Sequence, residues 1–137
     1  WRPHAHVGDA LLALPFLLDT LGNLLGFYDE YPKTDDVLHA LNWVLLVLAF
    51  HAFRFRNTGH TRDAVFLGYG FGATAIIWWE AMEWAVSKDG WGGAGGLALT
   101  YEDTIGDLIL SSTGGLIGSL LGVWWLGRKA PPENDAV

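Results

Sequence analysis

The sequence predicts an all-α protein, an integral membrane bundle of about four transmembrane helices folded as one domain. Two observations carry this. Four apolar stretches of about 20 residues recur along the 137-residue chain, and at ~1.5 Å per residue each can cross a hydrocarbon layer of ~30 Å. Hydrophobic residues make up 51% of the chain and charged residues only 17%, a balance shifted well away from that of soluble domains. The mean hydropathy of +0.26 would by itself leave a soluble bundle open, because polar loops and a polar tail dilute the apolar stretches. Segment length decides.

The first span runs from about Asp9 to Tyr28 and contains Pro15, which a membrane helix tolerates where neighbours satisfy the freed carbonyl. The second runs over about 36–55, through HALNWVLLVLAFHAF; the third covers about 64–86 and the fourth about 101–126. Short connections predict that consecutive helices are antiparallel neighbours. The transmembrane domain thus occupies residues 1–128, and the polar tail at 129–137, with Pro131 and Pro132, is expected to be disordered. The chain opens on Trp1, so an upstream segment is expected to be missing.

Orientation follows from the basic residues. Arg54, Arg56 and Arg62 fill the middle loop, Arg128 and Lys129 follow the fourth span, and Arg2 precedes the first. The two other loops carry one lysine each, Lys33 and Lys88. Both termini and the middle loop are therefore expected in the cytoplasm, with the tail among them. The net charge of -7 argues against nucleic acid as a partner. The absence of cysteine removes disulfides, thiolate catalysis and Fe–S clusters.

Acidic residues inside the spans gather towards the outward half. Asp35 and His39 lie one turn apart at the start of the second span, with Asn42 on the same stripe. Glu80 and Glu83 lie late in the third, and Asp103 and Asp107 open the fourth. Asp19, at mid-depth in the first span, has Asn23 one turn closer to the outer face. A charge in hydrocarbon costs roughly 2.5–3.5 kcal/mol on insertion scales, so several at one depth must share an internal site. No lysine or arginine lies among them at that depth; His39 is the one basic group. A cation, shared protons or a cationic ligand would neutralise the set.

One imidazole among carboxylates is a hard, oxygen-rich donor set. It suits Mg²⁺, Ca²⁺, Mn²⁺ or Fe²⁺ better than Cu⁺, and Zn²⁺ remains open through the histidine. The expected metal ligands are Asp35, His39, Glu80, Glu83, Asp103 and Asp107. Asp19, Asn23, Asn42, Tyr101 and Thr104 are expected as polar groups beside them. No residue is assigned a catalytic role. The bland alternative is that these groups hydrogen-bond one another to fix helix register.

Other features have plainer readings. His51 reads as an interface residue. Gly114, Gly118 and Gly122, like Gly22 and Gly26, recur every four residues as packing faces. Trp78, Trp79 and Trp84 fit one interfacial belt, and Trp124 and Trp125 the other. The stretch GWGGAGG at 90–96 is a turn or a lid over the outward site.

The order FYDEYPKTDDVLH, then WWEAMEW, then YEDTIGDLILSSTGGLIG resembles the YjdF-like group of small bacterial membrane proteins and, more distantly, the VanZ-like proteins. Asp35 and His39 match the Asp-x-x-x-His at a helix start, Glu80 and Glu83 the acidic motif of the next helix, and Asp103, Thr104 and Asp107 the Asp-Thr-x-x-x-Asp. The usual Asp-Lys pair before the histidine is Asp35-Asp36 here, which takes away a local counter-charge. The resemblance implies a multi-pass protein of the bacterial cytoplasmic (inner) membrane. Through the VanZ-like proteins it implies a link to low-level glycopeptide resistance, and it names no chemistry.

Three functions fit. The first is a divalent-cation site that binds or acts on lipid or envelope headgroups. The second is a non-catalytic accessory subunit, with partner membrane subunits or a homo-oligomer covering the glycine faces. The third is a proton or cation pathway through Asp19. Membrane lipids are expected partners in all three.

Overall fold

The computed structural model describes residues 5–54, 61–89 and 100–127, and every element in them is an α-helix. Helix α1 covers Ala5–Leu24, with Pro15 inside it. It ends where Gly26 adopts φ 72°, a left-handed conformation that glycine takes without a Cβ penalty. The first span therefore closes at Leu24 rather than running on to Tyr28. A single turn, α2, follows at Phe27–Glu30, tied to the next helix by the Thr34 hydroxyl donating to the Phe27 carbonyl at 2.9 Å.

Helix α3 covers Thr34–Arg54, with Asp35 and Asp36 in its first turn and His51 and Arg54 in its last. Acid at the N-terminus and base at the C-terminus both complement the helix dipole. Helix α4 covers Thr61–Asp89. Helix α5 covers Tyr101–Gly127, and Thr100 caps it by accepting the Asp103 backbone N–H at 3.1 Å.

Three segments are long and apolar enough to cross a membrane: His6–Leu24, Thr34–Arg54 and Tyr101–Trp125. The 29 residues of α4 give it a length of about 43 Å, but its glycines, its three tryptophans, Glu80 and Glu83 dilute its apolar character. The middle loop at 55–60, the glycine-rich stretch at 90–96 and the tail at 129–137 lie outside the described residues.

Packing does not follow chain order. Helix α5 packs most extensively on α3, α4 packs on another side of α5, and α1 packs on α3. Contact between the consecutive helices α3 and α4 is slight, and α1 has no close backbone approach to α4 or α5. Consecutive long helices are thus neighbours, but α3 meets α4 only slightly and lies mainly against α5. Glycine is the reason. A Cβ at Gly114 would strike the Ala40 carbonyl, and one at Gly118 would come 2.6 Å from the Val44 carbonyl, so α5 lies backbone-to-backbone along α3.

The same contacts give direction. Ala40 meets Gly114 and Val44 meets Gly118, so α3 and α5 run parallel. Ser119 reaches Val65 while Gly115 lies by Gly72, so α4 runs antiparallel to α5. Phe53 covers Gly8 and Leu38 lies near Gly22, so α1 runs antiparallel to α3.

Candidate functional site

At mid-bundle, the Val47 side chain fills the space between Gly72 and Gly115, where α3, α4 and α5 come together. Eight residues towards the acidic end from those three positions stand His39, Glu80 and Asp107. Helical rise is the same in all three helices, so the three groups share a depth about 12 Å from the crossing.

Three of the expected ligands meet there. Ligand atoms of Asp35, His39 and Asp107 all lie within 4.8 Å of one another. His39 Nε2 stands 3.8 Å from Asp35 Oδ1 and 3.7 Å from Asp107 Oδ1, beyond hydrogen-bond length to either. Its Nδ1 lies 3.1 Å from Ser111 Oγ. Asp107 and Ser111 are buried, and His39 is nearly so. Asp35 is half-exposed and forms the open side of the cluster.

Glu80 stands at the same depth but is not among the three groups whose ligand atoms lie within 4.8 Å of one another. It is 7% exposed, and neither of its carboxylate oxygens has a hydrogen-bond partner. It stands within electrostatic reach of Asp107 and His39. A buried, unpartnered carboxylate is costly. The Asn42 side-chain oxygen, one turn inward from His39, is also buried without a donor. All three orphaned side-chain atoms among the described residues are acceptors.

The other expected residues lie further out. Glu83 is half-buried and accepts the Trp79 indole N–H at 2.9 Å, so it is already partly satisfied. That bond also gives Trp79 a role beyond an interfacial belt. Asp103 is exposed, in electrostatic reach of Asp35, Glu83 and Asp107. Tyr101 is 77% exposed and not drawn into the cluster. Thr104 is half-buried in the first turn of α5. Asn23 is exposed and bonds back to the Asp19 carbonyl at 3.3 Å.

Asp19 has a partner that sequence reasoning missed. The Tyr28 hydroxyl donates to its carboxylate at 2.5 Å. Burial, the bond to Asp19 and the Asp19 charge all hold the Tyr28 phenol above its usual range, so it stays a donor. Tyr28 stood in the FYDE run, but only the turn at Gly26 brings it back onto α1. The missing counter-charge beside Asp35-Asp36 is also found. Lys33 Nζ pairs with Asp36 at 2.6 Å, which holds that exposed ammonium above its usual range.

A second polar centre lies at the other end of the bundle. His51 is 3% exposed, its Nε2 3.0 Å from Ser119 Oγ, and Ser119 donates to the Val65 carbonyl at 2.8 Å. With the serine proton spent on Val65, the ring must donate through Nε2. Gly68 and Gly122 make room for the ring, since a Cβ at either would overlap it. His51 is buried and joins three helices, α3, α4 and α5.

A family model described as "Predicted membrane protein (DUF2238)" matches residues 5–128. The chain belongs to that family. The match takes in every helix of this DUF2238 protein and agrees with the YjdF-like resemblance of its motifs. No curated protein and no solved structure shows a match to the chain.

The residues present suit a hard divalent cation. Metal–oxygen bonds of about 2.1 Å place neighbouring ligand atoms about 3.0 Å apart and opposite ones about 4.2 Å apart. The spread of 4.8 Å across Asp35, His39 and Asp107 needs only a small contraction to reach that range. A ligating histidine characteristically donates its other N–H to a fixed acceptor, and Ser111 stands where Nδ1–H would do so.

Proposed function

We propose that the DUF2238 protein crosses the bacterial inner membrane four times, with both termini cytoplasmic, and holds a divalent cation in its outward half. Asp35, His39, Glu80 and Asp107 are the ligands, and Glu83 and Asp103 shape the field around them. The observation that carries this reading is Glu80, a buried carboxylate with no hydrogen-bond donor at the depth of His39 and Asp107. A cation would give the Glu80 carboxylate the positive partner it lacks. The fourth crossing is supported by direction. Helices α3 and α5 run parallel, so the chain must return between them, and α4 is the segment that does so.

The site faces the headgroup region from the open side at Asp35. A divalent cation there would hold a phosphate or activate water, which suits binding to, or chemistry on, a phosphorylated lipid or envelope headgroup.

The test is elemental analysis of protein purified in mild detergent, run on the sample used for native mass spectrometry. About one divalent metal per chain is expected, lost in Glu80→Ala and in Asp107→Ala. A metal-free protein, with both variants as stable as the parent, would sink the proposal. The accessory-subunit reading shares this experiment, since it requires other chains at fixed stoichiometry in the same spectrum. The pathway reading, which runs through Asp19, gains little: that residue is exposed and its carboxylate accepts the Tyr28 hydroxyl.

A further inference from the structure

Because α1 and α4 do not approach each other, a slot is left between them with α3 as its floor. It has a volume of 440 Å³ and is lined by Leu12 of α1, Trp43 and Phe50 of α3, and Phe71 of α4, with Arg54 at one end. Phe50 and Phe71 stack at 4.4 Å and form its firmest wall. From Trp43 to Arg54 the slot follows α3 for about 16 Å, away from the acidic cluster.

We propose that this slot binds one acyl chain of an anionic phospholipid whose phosphate docks on Arg54. Three observations select that occupant. The lining is apolar and aromatic apart from its end, and an apolar slot holds no ordered water. Its 440 Å³ run as a strip along one side of α3, from Trp43 to Arg54, a shape that accepts a slender chain. Arg54 is exposed at the mouth and makes no ion pair with a described residue, and it ends α3, where a membrane helix meets headgroups. Guanidinium and phosphate are matched in charge and in hydrogen-bond geometry. The site is separate from the cation cluster and does not depend on it.

The protein is reconstituted into phosphatidylcholine vesicles and titrated with phosphatidylglycerol carrying brominated acyl chains, while tryptophan fluorescence is followed. Trp43 lines the slot, so a saturable quenching component is expected that disappears in Trp43→Phe. Removing one lipid-facing charge should raise the lipid needed about fivefold in Arg54→Gln, with Arg54→Lys near the parent. Ala75→Phe, which fills the slot from α4, should abolish the component while helical circular dichroism stays unchanged. Quenching that rises linearly with brominated lipid, and equally for brominated phosphatidylcholine, would mean bulk lipid only and overturn the proposal. So would a second protein chain at fixed stoichiometry that shields Trp43.

Discussion

The two ring nitrogens of His39 face different partners, Nε2 the carboxylates of Asp35 and Asp107 and Nδ1 the hydroxyl of Ser111. Ser111→Ala therefore removes the group that would hold the ring in its metal-binding tautomer without removing a ligand. Metal affinity, measured by competition with a chelating dye, should fall about 10- to 100-fold. The metal-free protein should lose no more than about 1.7 kcal/mol, the upper end for membrane side-chain hydrogen bonds. Protons compete with a metal for the same atoms, so affinity should also fall as pH is lowered; a flat profile would count against His39 as a ligand. That Asp35 and His39 share a face was legible from helical spacing, and that Asp107 lies at their depth from the span boundaries. The division between Glu80 and Glu83 was not, because both lie one turn apart on one helix. The fold buries the first, while the second accepts the Trp79 indole N–H.

Glycine placement decides how the helices meet. Gly114→Ala or Gly118→Ala would drive a methyl into the α3 backbone at Ala40 or Val44, and a backbone carbonyl cannot rotate aside as a side chain can. Each should destabilise the protein by about 1–3 kcal/mol, the usual cost of overpacking, read from thermal unfolding in detergent. Gly106 has nothing within 4 Å of its would-be Cβ, so Gly106→Ala should be neutral or gain up to about 1 kcal/mol from helix propensity. Equal effects at all three positions would show that α3 and α5 are not packed as described. The four-residue glycine repeat marked a close-packing face in the sequence. Its partner could not be read there, because a small-residue stripe accepts any backbone of matching curvature, and loop length points only to neighbours in sequence.

For the whole molecule, the proposed four spans with both termini cytoplasmic would place α2 and the start of α4 on opposite faces of the membrane. The chain has no cysteine, so single replacements report topology without background. Glu30→Cys should react with a membrane-impermeant maleimide added to intact cells, and Arg62→Cys only after permeabilisation; both residues are exposed. The reverse pattern would turn the protein over and place the acidic cluster on the cytoplasmic side. The long helices were legible because membrane thickness sets their length, whereas the short α2 and the end of α1 at Leu24, set by the turn at Gly26, were not. The pairing of α3 with α5 also bears on biogenesis. The residues that form the His39–Ser111 contact are 72 positions apart, an interval of about 4 to 14 s at ordinary rates of translation. For that time the emerging polypeptide holds Asp35 and His39 without their companions from the last helix. Shielding them until it arrives falls to the insertion machinery or to an early-bound ion.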